Sequence, residues 1–197
     1  MAAVQDTRLR CKWVDLKDPL YLDYHDIEWG KPLHDDRKLF EFLTLEGAQA
    51  GLSWKTILHR RDSYRAAFSG FEAEVIAAYG TDDISRLMLD TGIIRNRLKI
   101  NAAVNNADRF LKVQNEFGSF DTYLWGFVGG KPLNSMRTSI EEIPARTSLS
   151  DQMSKDLKKR GFSFVGSTIC YSFMQAVGIV NDHALDCFRY AEVQEVH

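Results

Sequence analysis

Apolar positions along this chain recur mostly at helical spacing. Leu39, Phe40, Leu43 and Gly47 share one face of a segment that Asp35 or Asp36 can cap, predicting a helix to about residue 50. A second helix is predicted over roughly 54–68. Short ones follow near 72–79 and 82–90, the latter opened by Thr81 with Asp82 and Asp83 in its first turn. Ile100, Ala103, Val104, Ala107, Phe110 and Leu111 trace the core face of the longest helix, about 95–116, and a short helix follows at about 120–127. Residues 1–10 are expected to fray. Residues 11–35 read as irregular, punctuated by Asp18-Pro19 and Gly30-Lys31-Pro32, and 128–148 form the longest loop-like stretch. Ser148 with Asp151 reads as a capping box for the next helix. No internal repeat or run of alternating strands interrupts the pattern, so the expected fold is all-α, with residues 1–197 as a single domain.

The stretch 150–178 is the most telling. Lys155, Lys158, Lys159 and Arg160 end one helix, and Gly161-Phe162-Ser163-Phe164-Val165-Gly166 follows. Ser167 and Thr168 then open a helix whose apolar face is Ile169, Phe173, Ala176, Val177 and Val180. The pattern is helix, tight glycine-bounded hairpin, helix. Such a hairpin turns the free N–H groups of its second helix outward and suits a phosphate, although a glycine-terminated pair of core helices has the same pattern.

At 45% hydrophobic and 26% charged, the chain has the composition of a globular domain. It lacks an apolar run of membrane-spanning length and an apolar leader, and its three cysteines are too few for a disulfide framework, so a cytoplasmic location is expected. A net charge of −2 does not announce a nucleic-acid partner, so any such contact falls to local clusters. Arg95, Arg97 and Lys99 form one cluster, and the residues before the hairpin form the other.

Cys11 and His25 lie near one end, and His183 and Cys187 lie near the other at the i, i+4 spacing of one helical face. Two Cys and two His supply the mixed tetrahedron that zinc prefers in structural sites, with no coordination position left open for water. Neither half is a C-x-x-C, so spacing alone leaves the site one reading among several. A second concentration is aromatic. Trp13, Tyr21, Tyr24, Trp29 and Trp54 hold three of the chain's four tryptophans, and most lie in a polar, irregular segment rather than at core spacing. They flank Glu46, a carboxylate inside the apolar run 42–48. Burying it is costly unless an arginine, backbone amides or a cationic ligand pairs with it.

The motifs Asp18-Pro19-Leu20-Tyr21, Tyr24-His25-Asp26, Glu28-Trp29-Gly30, Leu45-Glu46-Gly47, Gln49-Ala50-Gly51-Leu52-Ser53-Trp54 and Gly92-Ile93-Ile94-Arg95 resemble the bacterial DNA-3-methyladenine glycosylase I family. Gly161, Val165, Gly166 and the apolar second helix resemble the hairpin of the wider helix-hairpin-helix DNA glycosylase superfamily. The resemblance runs from Cys11 to about Tyr190. It implies a helix-hairpin-helix glycosylase fold whose terminal segments, 11–35 and 180–190, are joined by one structural zinc per chain on Cys11, His25, His183 and Cys187. It implies excision of N3-methyladenine from double-stranded alkylated DNA, with free 3-methyladenine as product. Tyr24 and Glu46 match the residues that hydrogen-bond the base and Trp54 the ring that stacks on it, with Tyr21, Trp13 and Trp29 as walls. Glu46 is the candidate catalytic residue. The superfamily's catalytic aspartate falls at Asn181, so stabilising the sugar cation passes to substrate charge, DNA phosphates and Glu46.

Ser167 and Thr168 stand where strand-cutting members carry a lysine, so a monofunctional enzyme is expected. Gly51 and Leu52 are candidates to fill the gap left by the flipped base, against the alternative of an ordinary turn with a buried leucine. Lys158, Lys159, Gly161, Val165, Gly166 and Ser167 are the candidate phosphate contacts, and a monomer is expected. The competing readings are a non-catalytic, zinc-stapled DNA-binding module and a metallohydrolase; the closed coordination set argues against the latter.

Overall fold

The computed structural model describes residues 7–194, and these build a mostly helical fold. α1 (Pro19–Asp23) runs directly into a π-helical turn (Tyr24–Glu28), and α2 (Asp36–Gln49) follows. α3 (Trp54–Leu58), α4 (Arg61–Ala67), α5 (Ala73–Ala77), α6 (Thr81–Leu89), α7 (Arg97–Phe117) and α8 (Phe120–Gly126) come next. β1 (Leu133–Asn134) precedes α9 (Ser148–Lys159) and α10 (Ser167–Ala176), and β2 (Val180–Asn181) and α11 (Phe188–Glu192) close the chain.

α2 is the central helix, buried continuously from Leu39 to Ala48. Phe40 meets Phe110 of α7 at 5.0 Å between ring centroids, and Phe110 stacks on Phe120 of α8 at 4.3 Å. Asp35 caps α2 by accepting from Lys38 N, whereas Asp36 reaches across to Phe120 N and Asp121 N and holds the start of α8. On α7, Ile100, Ala103, Ala107 and Phe110 are buried as the periodicity predicts, while Val104 and Leu111 are half-buried.

Several expectations are corrected. The segment 11–35 is not irregular throughout: Asp18 caps α1 and Pro19 occupies its first turn, a helix start too short for periodicity to reveal. The helix expected over 54–68 breaks at His59–Arg60, and Arg61 beyond the break is buried against Glu41 at 2.5 Å and Glu28 at 2.7 Å. The capping box of α9 sits one residue earlier than expected, on Thr147 and Ser150. The all-α class holds, with one two-residue strand pair added among the described residues. Leu133–Asn134 pairs in parallel with Val180–Asn181, pinning the long loop to the segment after the hairpin. Of the stretch expected to fray, residues 1–6 lie outside the described residues. Leu9 accepts from Phe188 N, and Arg10 makes a two-nitrogen contact with Asp26.

Candidate base pocket and metal centre

The π turn decides where the aromatic residues go. Its Trp29 N–H bonds Tyr24 O at 2.9 Å, one residue wider than an α turn, and such turns are frequent at functional sites. Tyr24 faces one cavity and His25 a different cluster. The cavity, about 220 Å³, is lined by Trp13, Tyr21, Tyr24, Trp29, Glu46 and Trp54, all six of the predicted base-binding residues. Trp13 packs edge-on against Tyr21 at 5.3 Å and Trp29 at 4.9 Å, and Tyr24 lies 5.2 Å from Trp54.

Glu46 is 4% exposed, and its Oε2 has no hydrogen-bond partner among the described residues. The arginines that would pair with it go to Glu41 on the same helix, held by Arg61 and Arg65. Burial pushes the Glu46 carboxyl up to about 8. The Tyr24 hydroxyl is also raised well above its ordinary value, by burial first and the Glu46 charge second. Trp54 Nε1 is a second buried polar atom without a partner. An aromatic cavity thus holds one acid and one N–H donor with no partner among the described residues, the condition expected where a ligand supplies the missing bonds.

Cys11, His25, His183 and Cys187 are all buried, and their four ligand atoms lie within 4.8 Å of one another. His183 presents Nδ1 to both sulfurs at 3.6 Å, and His25 presents Nε2 to Cys187 at 3.4 Å. The remaining ring nitrogens are taken up outside the cluster: His183 Nε2 bonds Trp29 O at 3.0 Å and His25 Nδ1 bonds Asp26 at 2.7 Å. This is the supporting arrangement that aims histidines at a metal. Gly30 permits it, because a Cβ there would stand 2.8 Å from His183 Nε2.

The hairpin is held from below by α7. Asn106 donates to Ser163 O at 2.9 Å and accepts from Ser163 N at 2.8 Å, while Asn105 donates to Gly161 O at 2.8 Å. Gly161 adopts φ +89, and Val165 is buried. Gly166 has no side chain with which to cap α10, so the first-turn N–H groups at Ser167 receive no side-chain bond. Lys158 and Lys159 are exposed beside it; Arg160 is bound to Glu116 and Asp156 and is structural. At the end of α2, Lys99 Nζ reaches Ala48 O at 2.8 Å and Ala50 O at 2.6 Å, fixing the turn through Gly51. Lys99 therefore clamps a helix end rather than joining a solvated basic face. Leu52 at the tip is 41% exposed, which removes the buried-leucine alternative. A smaller cavity of about 140 Å³ runs from Gly51 and Leu52 past Thr168 and Ile169, and shares Glu46, Gln49 and Ser172 with the aromatic one.

A family model described as methyladenine glycosylase matches residues 13–190. The chain belongs to the methyladenine glycosylase family. DNA-3-methyladenine glycosylase 1 of Escherichia coli K12 is 52% identical over 181 residues, covering 92% of this chain and 96% of that protein. A crystal structure of a 3-methyladenine DNA glycosylase I superposes with a TM-score of 0.89 at 53% identity, covering 91% of this chain and 98% of that one. A variant of such an enzyme, solved in complex with 3-methyladenine, matches with a TM-score of 0.86 at 42% identity, covering 87% and 92%.

For a chain of this family, Asn181 is the notable position. It is buried, donates to Asn134 Oδ1 and Tyr190 O at 3.1 Å each, and accepts from His183 N at 3.2 Å. Its bonds hold the strand pair and the segment that carries His183 and Cys187. Sequence reasoning missed Gln49, Ser172, Gln175, Ile140 and Ile143, which complete the cavity lining. Ser172 and Gln175 form an i, i+3 polar pair on an otherwise apolar helix, a signal that could have found them. Ile140 and Ile143 come from the long loop, where periodicity says nothing.

Proposed function

We propose that this methyladenine glycosylase extracts N3-methyladenine from double-stranded alkylated DNA and hydrolyses its N-glycosidic bond, as a single domain that leaves the strand intact. The observation that carries the reading is the unpaired Glu46 carboxyl inside an aromatic cavity. The methylated base is a cation, so its bond to deoxyribose is already weakened. Once flipped, it stacks on Trp54 and bonds Tyr24 and Glu46, with Trp13, Tyr21 and Trp29 as walls. Stacking contributes on the order of 1–3 kcal/mol and a charge-assisted bond roughly 1.5–3 kcal/mol. Neutral adenine gains less from the carboxylate, so the pocket favours the lesion.

The base departs with the electron pair of the glycosidic bond, which leaves it neutral, and water adds to the oxocarbenium-like sugar. Burial alone holds the Glu46 proton; the cationic base displaces it to solvent, and the carboxylate so formed supports the developing cation. Leu52, carried by Gly51, fills the space left in the duplex, and backbone N–H groups of 161–167 with Lys158 and Lys159 hold phosphates.

The donor set of the metal centre suits zinc: two thiolates and two imidazoles, each imidazole supported through its far nitrogen. An ion there supplies cross-linking of the two chain ends, since four protein ligands leave no position for substrate. None of the described helices is long and apolar enough to cross a membrane, in keeping with a DNA substrate.

The test is incubation with duplex DNA carrying N3-methyladenine. Release of free 3-methyladenine with the strand intact until alkali is added is the expected result. Tight binding without release would leave a non-catalytic reader, and direct strand cleavage would refute the monofunctional assignment.

A further inference from the structure

Asp182 is tied to the wall of the aromatic cavity through Gln175. Its side chain has no exposed surface, yet it receives Tyr171 Oη at 2.5 Å, Gln175 Nε2 at 2.7 Å and the Ser135 hydroxyl, with Arg137 Nε 3.6 Å away. Three donors and a guanidinium thus converge on this one side chain. The amide of Gln175 then has one orientation. Its nitrogen is committed to Asp182, and Oε1 is the atom left for the cavity, which Gln175 lines together with Glu46, Tyr24 and Trp54. Oε1 is not among the sealed polar atoms that lack a partner, as Glu46 Oε2 is. The cavity wall therefore offers two acceptors, one on α2 and one on α10.

We propose that Gln175 Oε1, locked toward the cavity by Asp182, accepts a hydrogen bond from the exocyclic 6-amino group of the bound base and selects 6-amino over 6-oxo purines. The inference rests on the base-pocket reading above and adds a second determinant to it. Glu46 senses the positive charge that an N3-alkylated purine carries while it is joined to deoxyribose. Charge alone does not separate methylated adenine from methylated guanine. A 6-amino nitrogen has two hydrogens and can give one to each acceptor. A 6-oxo group turns lone pairs toward the same oxygens and leaves them unpaired, and a site built for a donor rejects an analogue that lacks it. Asp182 acts through Gln175 and is a positioning residue.

The experiment titrates free 3-methyladenine and free 3-methylguanine into the metal-loaded protein, followed by tryptophan fluorescence, beside release of both bases from alkylated duplex DNA. Gln175→Met keeps the length of the side chain and removes the acceptor. It should weaken 3-methyladenine about ten-fold while leaving 3-methylguanine unchanged or tighter, so the preference narrows by about the same factor. Asp182→Asn lets the Gln175 amide turn over and should narrow the preference in the same direction. A purely structural loss would weaken both bases alike. An unchanged preference in Gln175→Met overturns the proposal, and this variant alone decides if Asp182→Asn fails to fold. The two readings fail differently. Wild-type protein that releases no 3-methyladenine overturns the proposed function, whereas active wild type with an unmoved preference in Gln175→Met overturns only the selection by Gln175.

Discussion

Replacing Glu46 by Gln separates what the buried carboxyl costs from what it recognises. Burial pushes this group from 4.5 up to about 8. Between those values the folded protein keeps the proton and the unfolded chain has released it. Stability therefore falls as pH rises through that window and is level above it. At about 1.36 kcal/mol per pH unit, the span sets a ceiling of roughly 5 kcal/mol on the cost at alkaline pH. Gln escapes this cost but buries amide hydrogens with no partner, for about 1–3 kcal/mol at every pH. The expected outcome is a crossover. Glu46→Gln should be no more stable than wild type near about pH 5, and more stable by roughly 2–3 kcal/mol near about pH 8.5. Urea unfolding of both proteins at the two pH values measures this, and groups common to both cancel in the difference. A stability difference that did not move with pH would show that Glu46 is not held protonated by burial. The same variant should lose affinity for duplex DNA carrying N3-methyladenine, where the base is a cation, by about ten-fold or more, while duplex with adenine at that position changes little. If both bases weakened equally, or neither did, the carboxylate would not be the discriminator.

Three other substitutions probe the remaining parts. Cys187→Ser should lose bound metal and folding stability together, by on the order of several kcal/mol, read by metal analysis and thermal unfolding; full metal with an unchanged Tm rules out the site. Leu52→Ala should slow excision from duplex DNA by about ten-fold or more while leaving free-base binding intact, and equal loss in both assays would return Leu52 to a packing role. Lys158→Ala and Lys159→Ala should each weaken DNA binding irrespective of sequence and flatten the salt dependence by about one unit of slope, and unmoved slopes would place the phosphates elsewhere.

What the sequence made legible depended on length and on chemistry. α2 and α7 are long enough for apolar periodicity to show; α7 buries most of the predicted face, whereas α2 is buried on every side from Leu39 to Ala48, so its predicted face is only part of what it buries. α1 and the π turn span five residues each, too short for any period, although Asp18-Pro19 carried the start signal. The six pocket residues were visible because a lone acid in an apolar run and rings in a polar segment each break a local rule. Asp182 broke none that spacing could register, since its pairing with Gln175 is between side chains in separate segments. Lys99 shows the opposite error. It looks like a member of a basic cluster until the carbonyls at the end of α2 come within reach, and that approach is purely tertiary.

The metal centre and the base pocket share one stretch of backbone, which ties the shape of the second to the first. Tyr24 and His25 are consecutive, and the π turn sends one to each site. Trp13 lies edge-on to His25 at 5.3 Å, and Trp29 lies edge-on to His183 at 4.6 Å. The Trp29 carbonyl fixes His183, and Gly30 leaves the space that ring occupies. Two walls of the pocket thus rest directly on metal-binding imidazoles. Glu46 is placed differently, on the buried middle of α2 and against the core of the domain. Loosening the imidazoles would open the walls and leave the acid where it is. On the proposed function, a metal held by these imidazoles would govern how tightly the rings close on a base, and Glu46 which charge they close on. Cys187→Ser should accordingly raise the Kd for free 3-methyladenine and for free adenine by similar factors and preserve the ratio between them, whereas Glu46→Gln changes the preference for the cationic base in duplex DNA over the undamaged one.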